Sequence, residues 1–390
     1  MMHSKVTKHS RIISDIEVLR AFAILFTLIH HVLFLLLWPS STYSAIMGTF
    51  SFWGGVDLFL VISGFVIARQ FIPTVTAARD TGDFLRLAGE FWIRRAFRIL
   101  PTAWVWLAIP LALTAALPAY SNWFSTLSET FAALFQVANF HHWYELNGRA
   151  PAGGVSGAYW SLSLEEQFYL ALPFVAYFGR KHIRALILAA IFIQLFIPRA
   201  PGDLLWDVRA DALLVGVAIY FFSISKFYSL FDPTLLNNRP ASVFVIVALL
   251  FGLAAMAGTM SLVPFFTGMI AIFSGLLVLI ASYDKSYICR QRQLKALLLW
   301  VGSRSYALYL ANLPIFFLNR YVYLHILGWD HPTYPRVLFS AFTALAMLIL
   351  AAELNYRFVE MPLREKGKRI GRQFRERPII SEPSVREGVL

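Results

Sequence analysis

Two ionisable residues with complementary chemistry lie in one apolar stretch near the start of the chain. Arg20 and His31 are eleven residues apart. In a helix, eleven residues at about 100° each return to within about 20° of the starting face and rise about 16 Å. Arginine stays charged, and histidine exchanges a proton near neutral pH, so this face can bind an anion at one end and accept a proton at the other. A packed histidine and an arginine that reaches the polar headgroups would give the same pattern.

Further polar side chains lie at a similar depth in other apolar stretches, namely Asp57, Glu165, Arg209, Asp211 and Asn312. Each is roughly five to eight residues from one end of its stretch, or about 8–12 Å below the surface. Because ionisable groups are costly in lipid, we expect them to face one another or a wet cavity. A histidine beside a carboxylate can take a proton from a hydroxyl. The same arrangement serves a proton-coupled transporter, so both functions remain open.

A second basic cluster comprises Arg94, Arg95 and Arg98, followed by Pro101. The planar guanidinium pairs bidentately with phosphate oxygens, so these residues together with Arg20 are candidates for binding a phosphate-bearing ligand. The alternative is that they serve only as topology signals. The sequence contains no H-E-x-x-H, P-loop or G-x-S-x-G pattern, and we expect no metal site.

The composition defines the environment of these residues. Of 390 residues, 58% are hydrophobic and 14% are charged, whereas soluble domains average about 45–50% and about 25%. This excess of apolar residues predicts a polytopic membrane protein and excludes a soluble nucleic-acid binder, despite a net charge of +12. A single cysteine, Cys289, excludes a disulfide scaffold.

The hydropathy pattern predicts an all-α bundle of about ten transmembrane helices with both termini in the cytoplasm. With this topology, 27 of the 34 Lys and Arg residues fall in cytoplasmic segments, as the positive-inside rule requires. We expect a cytoplasmic segment over 1–15, a membrane domain over 16–362, and a basic, solvated, partly disordered cytoplasmic tail over 363–390. The segment 124–140 is short and mixed, and is interpreted as re-entrant or interfacial. The predicted spans are 16–37, 51–71, 99–117, 159–178, 183–197, 204–224, 241–258, 262–282, 301–320 and 335–356.

Seven stretches in this order resemble one family. They are LRAFAILFTLIHH (19–31), WGGVDLFLVISGF (53–65), RRAFRILP (94–101), WSLSLEEQFYL (160–170), RADALLVG (209–216), SYALYLANLP (305–314) and VEMP (359–362). The set is similar to the acyltransferase 3 family of integral-membrane O-acyltransferases. The resemblance covers nearly the whole chain, from about residue 15 to 365.

The resemblance implies a bundle of about ten helices in the cytoplasmic (inner) membrane that moves an acyl group, commonly acetyl, from acyl-CoA to a glycan hydroxyl. It implies catalytic roles for His31, Asp57 and Glu165, with Asp57 or Glu165 orienting His31. Coenzyme A phosphates are expected on Arg20, Arg95 and Arg98. A substrate channel is expected at Trp160, Ser161, Arg209, Asp211, Tyr309 and Asn312. The family's E-x-P element matches Glu360 and Pro362.

The ninth-helix motif departs from the family pattern. The family usually reads YLxH at this position, and here Asn312 replaces the histidine. An amide can hydrogen-bond but cannot take a proton at neutral pH, so we expect no proton transfer by Asn312. Some relatives carry an appended hydrolase-like domain. None is expected here, because the chain ends 28 residues after Pro362.

The expected partners are acyl-CoA as donor substrate, a glycan or lipid-linked saccharide as acceptor, and membrane lipid. No permanently bound cofactor and no nucleic acid are expected. The alternative function is a proton-coupled transporter or flippase of a glycan or lipid-linked substrate.

Overall fold

The computed structural model describes residues 12–35, 49–117, 119–259, 262–329, 331 and 333–376. These residues form helices and no strand. Short 3₁₀ turns occur at Tyr228–Phe231 and Thr234–Asn237, and π-helical turns at Val322–Ile326 and Tyr356–Glu360. The α-helices are α1 Ser14–Leu35, α2 Gly55–Thr76, α3 Thr81–Ala116, α4 Trp123–Leu134, α5 Ala138–Leu146, α6 Tyr159–Phe178, α7 Ile183–Leu195, α8 Leu204–Asp207, α9 Asp211–Ser223, α10 Arg239–Gly258, α11 Phe266–Ser282, α12 Arg292–Ser303, α13 Ser305–Tyr321, α14 Tyr334–Asn355 and α15 Met361–Glu376.

Four helical segments among the described residues are long and apolar enough to cross a membrane. They are α2, α3, α10 and the continuous helix from α14 into α15. Three more helices, α7, α9 and α11, are apolar but shorter. This confirms that the described part of the chain is all-helical and has membrane-spanning character.

The third helix begins much earlier than hydropathy predicts. The span predicted over 99–117 belongs to a helix that begins at Thr81 and continues through Pro101. Asp80 caps its first turn, because the Asp80 side chain accepts a hydrogen bond from the Asp83 backbone N–H at 2.8 Å. A cap in a polar segment starts the helix before its apolar part does, and hydropathy does not detect it. The basic cluster before Pro101 is therefore helical.

Two predicted spans are interrupted at an arginine. The span predicted over 204–224 is divided into α8 and α9, with Arg209 in the gap. The span predicted over 301–320 is broken at Arg304, where α12 ends and α13 begins. A helix end leaves backbone carbonyls without helical partners, and Arg209 donates to the Trp206 carbonyl at 2.7 Å. The helix break after α8 thus frees a backbone carbonyl that accepts a hydrogen bond from the buried Arg209 guanidinium.

The segment 124–140 contains most of α4 and the start of α5, which have 12 and 9 residues. Both are shorter than the roughly 20 residues that a transmembrane helix needs. The side-chain amides of the buried Asn139 and the half-buried Gln167 fix α5 against α6. Gln167 donates to the Gln136 carbonyl at 2.8 Å and to Asn139 at 2.9 Å. Short helices held by side-chain amides form one end of the bundle.

The first part of the predicted basic tail is helical. Residues 363–376 continue as α15, which packs along the first half of α3. Gly367 and Gly371 are buried in this contact, and a Cβ at Gly367 would overlap that of Phe97. Close approach of two backbones requires such small residues. The rest of the tail, 377–390, and most of the predicted N-terminal segment, 1–11, lie outside the described residues, as does the predicted end of the first span.

Glycines also bring α2 and α9 together near the centre of the bundle. A Cβ at Gly64 would overlap the Leu213 carbonyl, and one at Gly216 would overlap the Val61 carbonyl. These contacts fix α2 against α9, which begins two residues after Arg209. The close packing places Asp57, near the start of α2, beside Arg209.

Candidate active site

A cavity of about 420 Å³ lies between α1, α2, α3, α6, α13 and α15, and we call it the arginine cavity. Five arginines and three glutamates line it, an excess of positive charge that suits a polyanionic ligand. The structure brings Arg20, Arg95 and Arg98 together here as predicted, whereas the fourth candidate, Arg94, does not line the cavity. The charged lining residues are Arg20, Arg69, Arg95, Arg98, Arg364, Glu17, Glu165 and Glu360.

The arginines predicted to bind an anion differ in the side chains with which they already form bonds. Arg20 pairs with Glu17 at 2.8 Å, and Arg95 donates to the neutral amide of Gln70 at 3.1 Å. The Arg98 guanidinium forms no hydrogen bond or salt bridge with any residue that the structure describes. Guanidinium groups that lack a carboxylate partner can take the oxygens of a bound phosphate.

Glu165 belongs to a hydroxyl network inside this cavity. The hydroxyls of Ser63 and Tyr169 both donate to its carboxylate oxygen Oε1, and the two hydroxyl oxygens also lie close to each other. The Tyr169 ring in turn lies 5.5 Å from the Arg95 guanidinium. The carboxylate is therefore coupled to the cationic wall through one tyrosine.

A hydrogen-bonded pair closes the far end of the cavity. Ser161 Oγ lies 2.7 Å from the Tyr309 hydroxyl, which also donates to the Ala158 carbonyl at 2.9 Å. Both side chains line the cavity and are buried. Asn312 lies three residues further along α13, about 4.5 Å in rise. Tyr309, the last residue of α13 that lines the cavity, is thus about one helical turn from Asn312.

His31 is bonded to Asn312 across α1 and α13. His31 Nδ1 lies 2.6 Å from Asn312 Oδ1. The Asn312 amide nitrogen donates to the carbonyls of Tyr309 and Leu308, at 2.6 and 3.2 Å, which identifies Oδ1 as the atom that faces the histidine. An amide oxygen can only accept, so Nδ1 carries the proton and Nε2 is the basic nitrogen.

The carboxylate that we expected to orient His31 is thus replaced by an amide. Both oxygens of Asp57 bond Arg209, from Nε and Nη2, each at 3.1 Å. Asp57 and Arg209 are each 1% exposed. A buried, bidentate pair of this kind uses the whole carboxylate edge. In Glu165, by contrast, both hydroxyl partners bond one oxygen, Oε1.

Arg209 lies within a cluster of indole rings. Its guanidinium carbon is 4.3, 4.8 and 5.6 Å from the ring centroids of Trp206, Trp160 and Trp53. Cation–π attraction strengthens when the cation is removed from water. Of the predicted channel residues, Trp160 and Arg209 are therefore in contact, whereas Ser161 and Tyr309 face the arginine cavity.

The predicted channel residues Arg209 and Asp211 form ion pairs with two different residues. Asp211 bonds Arg199 at 2.6 Å, and both side chains are buried. Arg199 also donates to the Gln194 carbonyl at 2.7 Å. This second ion pair fixes the loop after α7 to the start of α9.

Sequence reasoning missed several residues that complete these networks. Tyr169 lies four residues after Glu165, and Arg364 lies four residues after Glu360, so helical spacing contained a signal for both. Ser63 and Gln70 had no such signal, because polar uncharged residues are common in helices. Arg199 lies between the predicted spans 183–197 and 204–224, so hydropathy places it in a loop and gives no signal for its ion pair.

An all-helical chain with apolar helices, buried ion pairs and an internal cationic cavity has the features of a multi-pass membrane protein. The model of the acyltransferase 3 family, described as an acyltransferase domain, matches residues 13–353. This chain belongs to that family.

The curated relatives include O-acetyltransferases. The chain is 27% identical over 389 residues to O-acetyltransferase OatA of Staphylococcus aureus (strain NCTC 8325 / PS 47), covering 92% of this chain and 58% of the relative. It is 27% identical over 405 residues to peptidoglycan O-acetyltransferase OatA of Listeria monocytogenes, covering 93% and 58%. The chain therefore spans less than two thirds of the length of these relatives. No solved structure matches the chain.

Proposed function

We propose that this protein transfers an acyl group, most simply acetyl, from acyl-CoA to a hydroxyl of a cell-surface or exported glycan. The observation that carries the proposal is the arginine cavity, which ends at the Ser161–Tyr309 pair about one helical turn from Asn312, the partner of His31. The arginine end of this cavity suits the phosphates of the donor, and the end near Asn312 offers His31 as a base for the acceptor hydroxyl.

The donor binds with its phosphates at the arginine end of the cavity. Arg98 supplies an uncommitted guanidinium, and Arg20 and Arg95 contribute further positive charge. The pantetheine arm extends along the apolar wall toward Ser161 and Tyr309. Displacing one hydrogen bond between these two hydroxyls opens the way to Asn312 and His31.

His31 acts as the general base on the acceptor. Its Nε2 takes the hydroxyl proton as the hydroxyl oxygen attacks the thioester carbonyl. The C–S bond breaks, and coenzyme A leaves as a thiolate that receives the proton from the imidazolium. Asn312 is a positioning residue that holds the required tautomer without exchanging a proton itself.

The two carboxylates support this site in different ways. Glu165 faces the arginine cavity, where its hydroxyl network can bond the donor near the reacting carbonyl. Asp57 acts through Arg209, because both of its oxygens are already bonded there.

Two observations support the choice of acceptor and sidedness. The relatives are named O-acetyltransferases, one of them acting on peptidoglycan. In the predicted ten-span topology, 27 of the 34 Lys and Arg residues fall in cytoplasmic segments, Arg95 and Arg98 among them, so we place the arginine end of the cavity and both termini on the cytoplasmic side of the inner membrane. The His31 end then faces the exported glycan.

The test is CoA release from acetyl-CoA by the purified protein in nanodiscs, with and without soluble peptidoglycan strands. We expect glycan-dependent release of CoA together with acetyl esters on the strands. Acetyl retained on the protein after an acid quench without glycan would identify an acyl-enzyme route. If the protein binds the strands but never consumes acetyl-CoA, the proposal fails and the transporter or flippase alternative is favoured.

A further inference from the structure

Two adjacent histidines on α5 have different partners. His141 Nε2 lies 2.7 Å from Ser128 Oγ, whereas His142 Nδ1 lies 2.6 Å from Asp207 Oδ1. Asp207 is fully buried, and its Oδ2 has no hydrogen-bond partner among the described residues. The His142 side chain is 25% exposed. A buried carboxylate thus holds a histidine that reaches the surface.

The carboxylate determines which ring nitrogen of His142 is free to bind. An ionised carboxylate accepts only, so His142 Nδ1 carries the hydrogen. In the neutral ring, Nε2 then has a lone pair directed away from Asp207. Such a nitrogen is an acceptor for the hydroxyl of a bound molecule.

A buried amide fixes this pair in place. Asn139 lies three residues before His142 on α5 and is fully buried. Its amide donates to the Asp207 carbonyl at 3.3 Å and to Gln167 on α6 at 3.2 Å. Both members of the pair are therefore tied to one anchor, and a binding group held in this way loses little entropy when a ligand arrives.

The pair lies beside the far end of the arginine cavity. The His142 ring stacks on Trp160, with centroids 6.0 Å apart and planes inclined by 19°. Trp160 directly precedes Ser161, whose hydroxyl lines the cavity. His142 thus packs against the residue of α6 that directly precedes a residue of the cavity wall.

We propose that His142 Nε2 accepts a hydrogen bond from a hydroxyl of the glycan acceptor, and that Asp207 and Asn139 are its positioning residues. This subsite rests on the function proposed above. An uncharged hydroxyl suits it better than an anion does, because the buried Asp207 carboxylate disfavours further negative charge.

Two substitutions separate the ring nitrogens of His142. His142→Asn places an amide nitrogen where Nδ1 was, so it keeps the bond to Asp207 and loses the Nε2 acceptor. His142→Gln reaches the Nε2 position and loses the bond to Asp207. His141→Asn is the matched control, since it changes the same residue type on the same helix.

The measurement is the KM for soluble peptidoglycan strands and for acetyl-CoA with the full chain in nanodiscs. For His142→Asn we expect the glycan KM to rise roughly 3- to 12-fold, the range for one lost hydrogen bond, while the acetyl-CoA KM stays within twofold. His142→Gln should raise the glycan KM less, and His141→Asn should match the wild type.

The outcomes distinguish this subsite from the function on which it rests. If the wild type shows no glycan-dependent CoA release, the proposed function and the subsite both fail. If the wild type is active and His142→Asn has a wild-type glycan KM, the subsite alone is wrong. An equal rise in both KM values would show that His142 is a structural residue, and this also overturns the subsite.

Discussion

At the scale of single residues, the pairing of His31 with Asn312 gives a sharp test of the proposed base. His31→Ala should remove most acyl transfer, because positioned proton transfer contributes about 10²–10⁴-fold to rate. His30→Ala is the matched control and should be much milder, since its side chain points about 100° away on the helix. Glycan acetylation at equal membrane levels measures both. If His30→Ala is inactive and His31→Ala is active, the assigned face of α1 is wrong.

Arg98 tests the donor end of the site. Arg98→Ala should weaken acetyl-CoA binding roughly ten- to a hundred-fold, the range for one lost charge-assisted hydrogen bond. Arg98→Lys should restore part of the affinity, because an ammonium cannot pair bidentately. Arg94→Ala is the control, since Arg94 lies on the same helix but its half-exposed side chain pairs with Glu90. Wild-type affinity in Arg98→Ala at moderate salt would show that the cluster is a topology signal.

At the scale of helices, α15 is the element whose position the sequence did not reveal. Its contact with α3 depends on Gly367, where a Cβ would overlap that of Phe97. Arg364 lies three residues before this contact and lines the arginine cavity. The packing of α15 therefore sets one wall of the donor site.

Gly367→Leu should separate α15 from α3 and withdraw Arg364 from the cavity. We expect weaker acetyl-CoA binding and a lower thermal midpoint in nanodiscs. Lys366→Leu is the control, because Lys366 is exposed on the same helix. Donor affinity that is unchanged in Gly367→Leu would exclude α15 from the donor site.

At the scale of the whole molecule, the proposed sidedness is tested by labelling. Cys289→Ser gives a cysteine-free background, since Cys289 is the single cysteine. On that background, Ala152→Cys, in the exposed loop before α6, should react with an impermeant maleimide from outside intact cells. Lys368→Cys, exposed on α15, should react only after permeabilisation. The opposite labelling pattern would reverse the assigned orientation and place the donor cavity on the outer side of the membrane instead of the cytoplasmic side.

The sequence by itself determined the class of protein, its family and the location of the charged residues. Charges within or beside apolar stretches are conspicuous whatever the fold, so Arg20, Arg95 and Arg98 could be grouped from their positions along the chain alone. The matching boundaries of α6 follow equally from local hydropathy. These properties depend on the residues themselves and their near neighbours along the chain.

The tertiary structure decided which of these groups meet. His31 bonds Asn312 instead of a carboxylate, Asp57 bonds Arg209, and Asp211 bonds Arg199. Such pairings depend on how each helix is rotated and shifted against its neighbours. Close glycine contacts and helix breaks set that rotation and shift. The helical periodicity of the sequence does not predict these contacts and breaks.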